Sequence, residues 1–314
     1  MKKLALLLFA ILVLAIAAVY YLIPGTLVVS ETVKINCIAE AAFRNLSDEQ
    51  SWGKWWPGTA DAGVNAATGK FSLGNNRYSL SRKVTNNFEI LVESKDGVIP
   101  GEMNLFSIPH DSTLVRWRFT LPAGNNPFKR IAAYARAVSL KSDMHTILTR
   151  IQTYLSDFKN VYGFSFREAS TKDTLLITTK SFSAERPTTD FVYALINKLK
   201  NFCSSQNCNI TGMPMLNVTS LRPAGFQVMV ALPVNRLVQE HDSVSIIKMV
   251  PGKFIITDVV GGLHTIAQTY QQLHFYFQDY RRTTMAIPFE YLLTNRQQET
   301  DTSKWVTRIY APVY

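Results

Sequence analysis

One pattern limits the fold more than any other. The stretch "MPMLNVTS … FQVMVALPV" between Met213 and Val234 recurs in altered form between Ile287 and Val313 as "IPFEYLLT … WVTRIYAPV". Pro214 corresponds to Pro288, and Pro233 to Pro312. Each copy follows a strand-like run and a helical one. Thr174–Phe182 and a helix over Thr188–Phe202 precede the first. Strand residues within Val244–Val260, broken at Pro251-Gly252, and a helix over Leu263–Tyr280 precede the second. The first helix has Thr188, Thr189 and Asp190 as cap candidates, with Phe191, Leu195 and Leu199 along one face. On the second, Leu263, Ile266, Ala267, Tyr270, Leu273, Phe277 and Tyr280 share a face. Two strand–helix–strand–strand units in tandem predict a pseudo-twofold domain with a cleft where the halves meet.

The preceding part of the chain reads differently. Val29, Glu31, Val33 and Ile35 alternate in one strand register, Ile38–Leu46 reads as a short helix, and Trp52–Gly58 as an aromatic turn. Short strand-like runs fill Lys70–Leu121. Phe128–Phe158 then carries Ile131, Ala135, Val138, Met144, Ile147, Ile151, Tyr154 and Phe158 at helical spacing. A strand, a helix, an antiparallel run and a long closing helix make a helix-grip arrangement, so the fold class is α+β. Through "VKINCIAEAAFRNLSDEQSWGKWWPG" this segment resembles a START-like (SRPBCC, polyketide cyclase-like) domain, over residues 26–160. The resemblance implies an apolar cavity between curved sheet and long helix. Trp52, Trp55 and Trp56 would either line that cavity as ligand contacts or plug the core.

Lys2 and Lys3 precede an uncharged apolar run from Leu4 to Ile23, closed by Pro24-Gly25. Twenty such residues match a hydrocarbon core of about 30 Å. Residues 1–25 are therefore expected to be a transmembrane anchor. The lysines place the N-terminus in the cytoplasm and both later domains outside it. A cleaved signal peptide is the rival reading, because Ala15-Ile16-Ala17 resembles a cleavage site.

Lys and Arg number 33 against 23 Asp and Glu, a formal +10, yet no basic run reaches five residues. That pattern excludes a nucleic-acid tail and describes a solvated surface. In an exported chain Cys203 and Cys208 are close enough to bridge, leaving Cys37 single; buried thiols are the alternative. The five histidines form no ligand pair and no phosphate-binding loop or nucleophile elbow occurs, so neither metal nor cofactor is expected.

Glu290 stands out within the repeat. Alignment on the prolines sets Leu216 opposite Glu290, so the fold itself does not require an acid there. A carboxylate in a dry cleft costs several kcal/mol or takes up a proton, unless a cation offsets it. Strand alternation could instead turn Glu290 to solvent, since both faces of this strand are apolar. The segment "PFEYLLTNRQQETDTSKWVTRIYAPV" resembles the end of a GyrI-like effector-binding domain, the multidrug-regulator ligand module, over residues 161–314. That resemblance implies small-molecule binding, often of cationic or amphipathic compounds, by a buried glutamate. Glu290 takes that position, with Phe289 and Tyr291 beside it and Trp305 nearby as ligand contact or core. Some members resemble hydrolases, which would make Glu290 a general base and Tyr291 a substrate-placing group. A partner-docking ectodomain is the third reading. Regulators with this module carry a DNA-binding helical domain, which is not seen here, so no nucleic-acid partner is expected.

Overall fold

In the computed structural model the chain opens with helix α1 (Lys2–Leu22). The structure describes residues 2–57, 69–95, 97–170, 175–221, 223–241, 243–249, 252–283 and 286–313. No helix among the described residues is long and apolar enough to cross a membrane. This overturns the anchor expected over residues 1–25 and the single-pass localisation built on it, with no membrane partner left through that helix. The physical reason lies in the last turn of α1. Tyr20 Oη donates to the Asn125 carbonyl, the Arg130 guanidinium stacks over the Tyr20 ring at 4.5 Å, and Arg130 Nη1 donates to the Ile23 carbonyl at 2.7 Å. A charge and a polar loop thus hold the helix end. The remaining Leu4–Val19 spans about 24 Å, short of a hydrocarbon core of about 30 Å.

The described elements form a mixed α+β molecule, and the chain divides into two compact units, Met1–Val161 and Tyr162–Tyr314. In the first, β1 (Thr26–Ile35) is followed by α2 (Ala39–Ser47) and a 3-10 turn, Glu49–Lys54. Strands β2 (Lys70–Leu73), β3 (Asn76–Val84), β4 (Asn87–Ser94), β5 (Gly97–Ile108) and β6 (Ser112–Pro122) come next. They make one antiparallel sheet in the order β1-β6-β5-β4-β3-β2. Gly101 of β5 lies directly opposite Phe119, whose ring occupies the space a Cβ would need. The long helix α3 (Pro127–Leu155) starts at Pro127, capped by Asn126 Oδ1, which accepts from the Phe128 and Lys129 amides. It packs on β1 through Leu140, Met144, Ile147, Leu148, Ile151 and Leu155. Its first turns differ from expectation: Ile131 and Val138 are exposed. The gap between helix and sheet is filled by Trp52, Trp55, Trp56, Phe71, Tyr78 and Trp117, with neighbouring ring centroids 5.1 to 6.0 Å apart. Among the described residues, the void lined by Trp52, Trp55, Trp56 and Trp117 is about 10 Å³, room for about one water at most.

Helix α4 (Phe158–Tyr162) spans the boundary, and the second unit continues with β7 (Arg167–Ser170) and β8 (Leu175–Ser183). Helix α5 (Thr189–Ser205), β9 (Met215–Ser220) and β10 (Phe226–Pro233) complete the first half. The second half repeats the order with β11 (Val244–Lys248), β12 (Lys253–Val260), α6 (Leu263–Asp279), β13 (Phe289–Leu292) and β14 (Val306–Val313). Thr174 and Pro251, expected within the strands here, lie outside the described residues, as does Gly58 of the aromatic turn. The eight strands form one antiparallel sheet, β11-β8-β10-β9-β13-β14-β12-β7. Each half lends its first strand to the other: β7 pairs with β12, and β11 with β8. The halves meet at β9 and β13, where Leu216 and Glu290 are direct cross-strand partners, so the pseudo-dyad passes between them. Cys203 and Cys208 form a disulfide at the end of α5.

This strand order forces curvature. Six inter-strand steps of about 4.8 Å would separate β11 from β12 by about 29 Å in a flat sheet. Yet Lys248 and Lys253 end and begin those strands, and five chain steps reach at most about 18 Å. The sheet must therefore curl, and its two faces become unlike.

Candidate functional site

One sheet face carries both helices. Val192, Tyr193, Ile196 and Leu199 of α5 pack on Ile177, Leu216, Val228 and Val230. Between α5 and α6 lies a cleft of about 630 Å³, walled by Val192 and Tyr193 on one helix and by Leu263, Ile266, Ala267 and Tyr270 on the other. Leu216 and Glu290 form its floor at the dyad. Beyond Tyr270 and Glu290 a further void of about 560 Å³ opens past Asn217 and Pro288. The carboxylate is thus approachable from two sides.

Alternation along β13 sets the chemistry. Glu290 and Leu292 face the helices, whereas Phe289 and Tyr291 point to the other face. The Glu290 side chain is 12% exposed, and among the described residues its Oε2 has no hydrogen-bond partner. Its nearest charge is Arg296 Nη2 at 3.6 Å, close enough for an ion pair but too long for a hydrogen bond. That guanidinium is held elsewhere: Nη2 donates to Thr307 Oγ1 at 2.8 Å, and the group stacks over the Trp305 ring at 4.8 Å. The Arg296 amide donates to Tyr193 Oη at 2.7 Å, tying the turn to α5. Burial pushes the Glu290 carboxyl above its ordinary value; Arg296 and, more weakly, Arg186 pull the other way, and burial wins. Burial also lowers the Arg296 pKa, opposed by the Glu290 charge. Tyr270 is raised by burial first and by the Glu290 charge second.

The structure separates the residues singled out in the sequence. Glu290 lies in the cleft; Tyr291 does not, being buried among Phe289 and Tyr310 at ring distances of 5.7 and 4.7 Å. It cannot place a substrate against Glu290. Phe289 lines a separate cavity on that second face. Trp305 is buried as a platform for Arg296, its Nε1 donating to the Glu299 carbonyl at 2.8 Å. Trp52, Trp55 and Trp56 belong to the other unit, with Trp52 Nε1 bonded to Leu46 O and Trp56 Nε1 to Ser72 O. Sequence reasoning missed Arg296, Tyr193 and Tyr270 as a set. Arg296 sits in "TNRQQETDTSK", which reads as a solvated turn, and only its spacing six residues beyond Glu290 hinted at a return to the strand.

The chain's match to a known family falls on this unit. Residues 179–314 match the GyrI-like small molecule binding domain. The chain is similar in structure to the EcmrR C-terminal domain, at 11% identity, 48% coverage of this chain, 98% of that one and a TM-score of 0.43. It is also similar to SAV2435 bound to tetraphenylphosphonium, at 16% identity, 48% and 94% coverage and a TM-score of 0.30. A hydrolase from Listeria innocua shows 10% identity, 48% and 92% coverage and a TM-score of 0.36. No curated protein matches the sequence. The C-terminal unit of this chain carries a GyrI-like small-molecule binding domain.

Proposed function

We propose that the protein binds a small organic cation in the cleft between α5 and α6, with Glu290 as the charge anchor. The observation that carries this reading is the buried Glu290 Oε2, which has Arg296 at ion-pair distance, 3.6 Å, but lacks a hydrogen-bond partner among the described residues and faces about 630 Å³ of open space. A cation there would supply the missing partner. At an effective dielectric near 20 the attraction is about 4 kcal/mol at contact, and the Tyr193 and Tyr270 rings could add cation–π contact of up to about 2 kcal/mol. The domain division at about residue 160, and a START-like assignment for residues 26–160, are supported by the order of strand, short helix, antiparallel strands and long helix. Trp52, Trp55 and Trp56 take no part in the binding proposed here, because the void of about 10 Å³ that they line is too small for an organic ligand.

Thermal denaturation with tetraphenylphosphonium, a bulky delocalised cation, tests the site. Saturation at a hundredfold excess over Kd should stabilise the protein by about 2.7 kcal/mol. Glu290→Gln should abolish most of that. Absence of a shift, or an equal shift in the variant, would remove the basis of the reading. The pH dependence has a fixed sign. A carboxyl with a raised pKa is neutral at low pH, so cation affinity should rise with pH through that pKa and then level off.

A further inference from the structure

The sheet face away from the helices holds a second cavity, of about 370 Å³, within the range of small-ligand pockets. Ile247 of β11 and Phe254 of β12 both line it, although the strand order sets these strands far apart, so it lies on the inside of the curl. Its chemistry is the reverse of the cleft's. The walls are apolar and soft, with Met215, Met229 and Met249 supplying flexible thioethers that adapt to a ligand's shape. Among the described residues no Asp or Glu lines it. Its amide, Asn217, is already engaged: Nδ2 donates to the Pro288 carbonyl at 2.8 Å and Oδ1 accepts from Thr219 Oγ1 at 2.9 Å. The charges at the cavity are Lys248 and Lys253, both exposed at the two ends of the β11–β12 connection.

An apolar chamber with a cationic rim and no acid fits a molecule with a hydrocarbon body and an anionic head. We propose that this cavity is a second binding site, for an anionic amphiphile such as a medium-chain carboxylate, with the tail against the methionines and the head between Lys248 and Lys253. Glu290 is not among the residues that line it, although the void beyond Glu290 shares Asn217, Ala286 and Ile287 with it, so Glu290→Gln is the control that separates the two sites.

Calorimetric titration of the full chain at neutral pH with decanoate, decanol and decyltrimethylammonium tests it. Decanoate should bind at least about tenfold more tightly than decanol, and the cation should not compete with it. The double substitution Lys248→Glu/Lys253→Glu changes exposed side chains and should weaken decanoate about tenfold or more, while the response to tetraphenylphosphonium stays as in the wild type. Met229→Trp, which fills the chamber from a half-buried position, should weaken decanoate and decanol alike. Equal binding of decanol, indifference to the lysine reversal, or loss of decanoate binding in Glu290→Gln would each overturn the proposal.

Discussion

The interior of the first unit and the cleft of the second are both made by helices lying on an antiparallel sheet, yet one is closed and the other open. In the first, the long helix α3 lies along β1 and the short α2 on β5 and β6, and aromatic side chains fill the space beneath, leaving a void of about 10 Å³ beside Trp52, Trp55, Trp56 and Trp117. In the second, two helices related by a pseudo-dyad share one sheet face, leaving a trough of about 630 Å³ along the axis. Large aromatic side chains therefore do not themselves signal a ligand cavity. Where the indoles stack on one another they are the filling. A site arises where packing stops short and a polar group is left facing the gap.

That contrast is most exposed to attack at Trp117, which is 1% exposed and packs against Tyr78 and Phe119. Trp117→Ala should cost about 3–5 kcal/mol in urea denaturation, the range for deleting a buried aromatic from a tight core. Tetraphenylphosphonium affinity should remain unchanged under native conditions. A loss below about 1 kcal/mol would mean that the aromatic block is loose and the comparison false. Arg296→Met probes the open side. It leaves the buried Glu290 carboxylate without its countercharge, which should destabilise by about 2–3 kcal/mol, moderated by water in the cleft. It also removes the main influence lowering the Glu290 pKa, so the midpoint of the pH dependence of cation binding should move upward. A downward movement would show that Arg296 is not the group that tunes Glu290.

The sequence displayed the duplication and the order of elements, because paired prolines and apolar periodicity are local. It did not display the exchange of β7 and β11 between halves, since β7 is only Arg167–Ser170 and its partner strand lies far along the chain. Nor did it separate core from cleft on α6. Leu263, Ile266, Ala267 and Tyr270 form one apolar stripe with Leu273, yet all four wall the cleft, Ile266 while being as buried as Leu273, which does not line it. Periodicity reports which side chains avoid water, not whether protein or a ligand covers them. Glu290 was legible through its Leu216 counterpart, though its orientation was not, because both faces of β13 are apolar. The transmembrane reading failed from a similar limit: the hydrophobic run was visible, whereas the Arg130 contacts that hold its end were not.

The smallest effect expected concerns a polar group of the closed interior that has its partner, unlike the Trp55 and Trp117 Nε1 groups, which have no hydrogen-bond partner among the described residues. Tyr78 is fully buried, and its Oη donates to Asp143 Oδ2 at 2.7 Å, an oxygen that also accepts from Asn76 Nδ2 at 2.7 Å. Burial, then the Asp143 hydrogen bond and charge, push the Tyr78 phenol far above its usual range, so it holds its proton at any pH the fold would meet. Tyr78→Phe removes one of two donors to Asp143 while keeping the ring and its packing. The cost should be about 1–1.5 kcal/mol, the scale of a hydrogen bond whose acceptor keeps another partner. Because the phenol stays neutral in folded and unfolded chains alike below about pH 9, its own titration adds no slope to stability there. Glu290 behaves in the opposite way. Its raised folded pKa favours the fold fully below the ordinary carboxylate pKa, and that contribution is lost as pH rises through the folded value. Denaturant titrations at several pH values would separate the two. A cost for Tyr78→Phe that held constant with pH below about pH 9, beside a Glu290→Gln difference that changed as pH rose above the ordinary carboxylate pKa, is the outcome the comparison demands.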